Sequence, residues 1–218
     1  MIVMPSNSGR WNVHYWQGKY GGLGHLYSPG GARGPFEHLP YALDNGAYGA
    51  MKNNRPFDEE GFERHVVWAS EKDKQPLWLA VPDVVGDREA TVREWRLRAP
   101  KLRDRFGWNL ALCVQDGMRP EEVVELGPDV VFVGGSTEWK WSTVAEWCAV
   151  FPRVHVGRCN SPRRLYECAD LGVESVDGTG WFRGNQKQYE GLHDFIKQQS
   201  QGRRPSIPRQ RDLPFTTG

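Results

Sequence analysis

Glu174-Ser175-Val176-Asp177-Gly178-Thr179-Gly180-Trp181-Phe182-Arg183 is a short strand-like run that ends in a carboxylate, two glycines, an aromatic pair and an arginine. An aspartate at the tip of a buried strand, with flexible backbone just beyond it, is placed to meet a ligand. Three earlier segments share this grammar: Tyr41-Ala42-Leu43-Asp44-Asn45-Gly46, Leu77-Trp78-Leu79-Ala80-Val81-Pro82-Asp83 and Leu110-Ala111-Leu112-Cys113-Val114-Gln115-Asp116-Gly117. Each is an apolar run of strand length that closes on Asp or Gln beside Gly or Pro. One such run means little. Four of them imply parallel strands whose tips converge on one mouth.

Working outward, strands are expected at 2–4, 41–44, 77–81, 109–114, 130–133, 154–156 and 174–176. Helices are expected between them. One covers 58–72, with Asp58 as N-cap and Phe62, Val66 and Ala69 at helical spacing. Others run over 88–105 behind Asp87, from Pro120 to Gly127, over 143–150 behind a capping box of Thr143 and Glu146, over 161–171, and over 186–200. Residues 17–40 are rich in Gly and Pro without periodicity and read as loop. Continuous apolar strands alternating with helices predict a parallel sheet covered on its outer face. Seven strands, with an eighth unit degenerate or hidden, predict a small (β/α)8 TIM-type barrel. The alternative is an open doubly wound sheet, but no GxGxxG follows the first strand. Residues 1–201 are read as one catalytic barrel and 202–218 as a basic, proline-containing tail.

The composition narrows the function. With 218 residues the chain can bury roughly 70% of its unfolded surface, enough for one large core. A formal net charge of +1 announces no polyanionic partner by itself. The four cysteines lack CxxC spacing and read as reduced core residues, which suits a cytoplasmic protein. No apolar run reaches the roughly 18–20 residues of a membrane span, and no signal-peptide pattern opens the chain. The six histidines show no ligand spacing, so neither a metal nor another cofactor is expected. Taken singly, the strand-end motifs have ordinary explanations. Asp44-Asn45-Gly46 and Asp177-Gly178 are common turns, Asp83 could satisfy loop amides, and Gly134-Gly135 could be packing.

Together, from about residue 41 to 185, these segments resemble the tRNA-guanine transglycosylases, above all their compact phage relatives that place 7-deazaguanines in DNA. Leu43-Asp44-Asn45-Gly46-Ala47-Tyr48 is similar to the family's Asp-Ser-Gly-Gly-Tyr/Phe segment. The resemblance makes Asp44 the acid–base carboxylate and Tyr48 the ring stacked on the base. Val81-Pro82-Asp83 is similar to the Phe-Asp-Glu segment, whose Asp reads the N1 and amine edge of guanine. Gln115, in a Gln-Gly-like segment, would contact the base carbonyl, and the backbone of Gly134 and Gly135 would hold the same atom. Val156 would close the other side of the base. Asp177 matches the nucleophile, and Arg183 matches an arginine spaced identically beyond it.

The resemblance implies a transglycosylase that replaces guanine with a 7-deazaguanine through a covalent glycosyl-aspartate. The zinc site of the tRNA-acting members has no counterpart here, which favours DNA over tRNA as the polymer. Arg183 and the tail arginines Arg203 and Arg204 are the expected phosphate contacts. The location implied is cytoplasmic, the host's cytoplasm for a phage-encoded chain, with no membrane partner and with oligomerisation left open. Two alternatives stand beside it: a barrel glycoside hydrolase or phosphosugar enzyme, whose phosphate Gly134-Gly135 could hold, and a non-catalytic DNA-binding relative.

Overall fold

A strand buried on both faces sends alternate side chains into two different cores. The computed structural model, which describes residues 1–6, 10–31, 35–36, 38–184 and 186–202, has eight such strands. They are β1 (Ile2–Pro5), β2 (His25–Tyr27), β3 (Tyr41–Leu43), β4 (Leu79–Ala80), β5 (Leu110–Val114), β6 (Val130–Val133), β7 (Val154–Val156) and β8 (Ser175–Gly178). All neighbours pair in parallel in the order β1-β8-β7-β6-β5-β4-β3-β2. The ring closes where Val3 bridges Leu23 and Ser6 bridges Leu26. There the Val3 N–H donates to Gly22 O and the Gly24 N–H to Val3 O, both at 2.9 Å. The fold is a TIM-type (β/α)8 barrel.

The helices are α1 (Trp11–Tyr20), α2 (Ala47–Lys52), α3 (Glu59–Ser70), α4 (Arg88–Phe106), α5 (Pro120–Val124), α6 (Thr137–Val150), α7 (Pro162–Asp170), α8 (Gly180–Arg183) and α9 (Gln186–Ser200). Outward-facing strand residues such as Val3, Leu43, Leu112, Val131, Val156 and Val176 join helix residues Phe62, Trp95, Leu165 and Leu192 in one large core. Inward-facing Met4, Leu26, Ala42, Ala80, Ala111 and Cys113 form a second core inside the ring, with Trp78. The three inner alanines leave room for a plug of larger rings. Trp78, Phe132 and His155 meet there with centroids 4.5 to 5.8 Å apart. The interior is therefore filled at this level, and the upper end is open.

Two expectations needed correction. The segment 17–40, read as loop, contains the end of α1 and all of β2, which is the hidden eighth strand. Its three residues sit among Gly21, Gly22 and Gly24, too few to show a period. A Cβ on Gly24 would meet Pro40 O at 2.8 Å and Ile2 Cγ2 at 2.9 Å, so glycine there lets neighbouring strands close. Helix α6 starts six residues before the expected 143, capped by the Ser136 side chain, which accepts from the Trp139 N–H. Thr143 instead donates its hydroxyl to Trp139 O at 2.9 Å, within the helix. The expected phosphate contacts Arg203 and Arg204 lie outside the described residues. Among the described residues, no helix is long and apolar enough to cross a membrane.

Asp87 caps α4 as the sequence implies, accepting from the Ala90 N–H at 2.9 Å. Asp87→Ala is expected to cost about 1 kcal/mol, the scale of a lost N-cap. Urea denaturation of the two proteins measures it; an unchanged midpoint would mean that water replaces the cap without loss.

Candidate active site

The open end of the barrel forms a cavity of about 700 Å³ at the C-terminal tips of the strands. Asp177, Asp44, Asp83, Gln115, Tyr48, Gly134 and Gly135 all line it. The convergence inferred from four scattered segments is thus physical: parallel pairing brings the tips to one end, and inward alternation aims the side chains at one space.

Asp177 lies on the inward phase of β8 and is 6% exposed. Its Oδ1 accepts from the Arg158 backbone N–H at 3.2 Å and more loosely from the Ser6 hydroxyl at 3.4 Å. Its Oδ2 lies 3.1 Å from Nε2 of His155, a fully buried residue of β7. A carboxylate only accepts, which places the shared proton on Nε2. Nδ1 then shares a 2.8 Å bond with the Ser175 hydroxyl. Donors on two sides fix the carboxylate without covering it, since it still borders the cavity. At Arg158 the backbone takes a φ of 56°, in the left-handed region, as the chain turns past Asp177. The buried Lys140 secures that turn by donating to Gly157 O at 2.5 Å, and burial lowers its own pKa to about 8.

Asp44 accepts from the Ser28 hydroxyl at 2.8 Å. Burial raises its pKa above the usual carboxylate range, and Asp177 adds to the effect, while Ser28 opposes it. Asp83 is gripped from both sides. The Asn45 amide donates to its Oδ1 at 2.8 Å and the Gln115 amide to its Oδ2 at 2.7 Å. Gln115 is fixed in turn by the Gly86 N–H, which donates to its Oε1 at 2.9 Å. Asn45 also donates to Val81 O and accepts the Ala47 N–H. Burial, offset in part by these amides, brings the Asp83 pKa up to about 6. Cys113 sits beside this group, its thiol pushed well up by burial and the nearby carboxylates, so it serves as a small apolar wall.

Several expected residues stand elsewhere or in other company. Val156 is fully buried in the outer core and does not reach the cavity. Strand phase explains this: on β7 it is His155, and beyond the strand Gly157, that face inward. A Cβ on Gly157 would meet Phe132 at 2.5 Å and Asp177 Oδ2 at 3.3 Å, so glycine makes room for the carboxylate. Gln115 borders the cavity, yet its amide is engaged with Asp83 rather than poised alone for a carbonyl. Gly135 combines a φ of 61° with contact to Trp139, whose ring a Cβ would strike at 2.6 Å. Tyr48 is 41% exposed on α2, and the Arg158 guanidinium lies 4.9 Å from its ring centroid while donating to Gly135 O. Arg183 is exposed on α8 and is not among the lining residues; the lining cations are Lys52, Arg55 and Arg158.

No family model matches the chain, and no curated protein matches it. Among solved structures, the 3-hexulose-6-phosphate synthase of Salmonella typhimurium superposes with a TM-score of 0.50 at 11% identity, over 92% of this chain and 100% of that one. Similarity at this identity shows a shared fold, and the fold it shows is the TIM barrel.

Proposed function

We propose that this protein exchanges a guanine of nucleic acid, DNA in preference to tRNA, for a 7-deazaguanine base. The observation that carries the reading is the division of labour among three carboxylates in one cavity. Asp177 is held by His155 and the Arg158 N–H, apart from the amide clamp of Asn45 and Gln115 on Asp83. A clamped carboxylate presents acceptors only, and it complements the adjacent N1–H and amine donors of a guanine edge. A cavity of this size accommodates one base and its sugar.

In the reaction, an Asp177 oxygen attacks the anomeric carbon of the sugar as the bond to guanine N9 breaks. The electron pair of that bond leaves with the base. Incoming 7-deazaguanine reverses the step, its N9 displacing Asp177, so two inversions keep the anomeric configuration. Asp44, whose pKa burial raises, protonates the departing base and takes the proton of the entering one. His155 and Ser175 orient the nucleophile and touch no substrate. The target guanosine must be unstacked or flipped out to reach Asp177.

A phosphosugar enzyme is the second reading, favoured by the three cations that line the same cavity. It leaves the amide clamp on Asp83 without a task. Radiolabelled guanine offered with duplex DNA, single-stranded DNA and tRNA separates the readings. Label is expected in DNA. Label in tRNA alone would change the polymer, and none in any of the three would sink base exchange.

A further inference from the structure

Besides the carboxylates, the cavity is lined by Lys52, at the end of α2, and by Arg55 and Phe57, the two cations exposed, and these three make up its outer arm. We infer that this arm is a second nucleotide subsite, in which Lys52 and Arg55 hold a phosphodiester next to the flipped guanosine and Phe57 supports the neighbouring base. The inference rests on the base-exchange reading for the identity of the polymer.

The local backbone builds the arm. Asn54 adopts a φ of 49°, in the left-handed region, and the Arg55 N–H folds back to Ala50 O at 2.9 Å. The Asn53 amide donates to Gly49 O at 2.7 Å and ties off the same turn. This reversal brings Arg55 to the cleft beside Lys52, three residues earlier. Neither cation forms an ion pair with a described residue, whereas Arg98, Arg103 and Arg105 of α4 are all paired. Phe57 is half-buried, with the Phe62 ring 6.0 Å and the Arg98 guanidinium 6.0 Å from its centroid, so it is held firmly.

Charge then decides where each part of a ligand sits. Asp44, Asp83 and Asp177 line the deep end and repel a phosphate, while they welcome the donor edge of a neutral base. The fourth lining carboxylate, Asp58, is turned to the α3 N-terminus, where it accepts from the Gly61 N–H. The cations stand at the outer end, where a backbone phosphate would follow the flipped nucleoside. Arg158 is already engaged with Tyr48 and Gly135, which leaves Lys52 and Arg55 for this role. A cationic groove with an aromatic wall is the arrangement that binds single-stranded nucleic acid with little regard to sequence.

The test compares the parent, a Lys52→Ala/Arg55→Ala double variant and Phe57→Leu. Each is titrated with free guanine and with a single-stranded tetradeoxynucleotide containing one guanosine, over a salt series. The double variant is expected to lose about tenfold or more in oligonucleotide affinity, and its salt slope should flatten by about 0.7 for each phosphate released. Its guanine affinity should stay within about twofold of the parent's. Phe57→Leu should lower oligonucleotide affinity with the slope unchanged. Equal affinity and slope in parent and double variant would overturn the subsite, as would an equal loss for guanine and oligonucleotide. Failure of the parent to bind guanine would instead overturn base exchange, and the slope comparison would still decide the subsite.

Discussion

Asp177→Asn is expected to slow guanine exchange by about 10³-fold or more, the scale on which losing a covalent nucleophile is felt. Guanine affinity should stay near the parent's. The amide keeps the carboxylate's size but lacks its negative charge and cannot form the glycosyl ester. Its oxygen can still accept from the Arg158 N–H, so the β7–α7 turn keeps its anchor. Its nitrogen faces His155 Nε2, and two donors there would clash; a tautomer change resolves this, with Nδ1 then donating to the Ser175 oxygen. The variant should therefore fold and bind. Label incorporation at matched protein concentration, together with calorimetric titration of guanine, checks both halves. Exchange at the parent rate would remove Asp177 from the chemistry.

Asp83→Ala is expected to weaken guanine binding by about 2–4 kcal/mol, or about 30- to 1000-fold. It removes a charged acceptor and strands the Asn45 and Gln115 amides that held it. The raised pKa supplies a second signature. Below about 6 the free protein carries Asp83 protonated, so guanine affinity should fall as pH drops through that value. Stability should move the other way. A carboxyl at about 6 when folded and 3.8 when unfolded binds its proton more tightly in the native state. Its contribution therefore grows as pH falls from about 6 toward 3.8, with Asp44 shifting in the same sense. Between pH 4 and pH 8 the difference between parent and variant should show these opposite trends, in titrations and in urea melts. A pH-independent affinity in the parent would place guanine away from Asp83.

The parts of the site written as apolar run, carboxylate and glycine were readable because each carries its own punctuation. Asp44, Asp83, Gln115 and Asp177 each lie at or just past the C-terminal end of a strand, and parallel pairing does the rest. His155 was hidden by its neighbours: in Val154-His155-Val156 both phases look buried, and nothing local says which side faces the ring interior. The same ambiguity put Val156 in the cavity by resemblance, where barrel phase turns it outward. Arg158 depends on a left-handed backbone that a sequence does not display at a non-glycine residue. Strand β2 escaped because three residues between glycines carry no period, although it completes the ring. Lys52 and Arg55 belong to no motif, and only the cleft they line gives them a place.

The joint between β1 and β2 runs between two of the site's carboxylates. Just past β1, Ser6 reaches Asp177; just past β2, Ser28 reaches Asp44. These two strands meet through single bridges rather than a continuous ladder. A wall with fewer rungs parts at lower free energy than its neighbours. Ser6 and Asp177 lie together on the β1–β8 side of this joint, and Ser28 and Asp44 together on the β2–β3 side, so each carboxylate keeps its hydroxyl when the wall parts. The clasp in the barrel wall thus divides the mouth into two halves, each carrying one carboxylate together with its own serine.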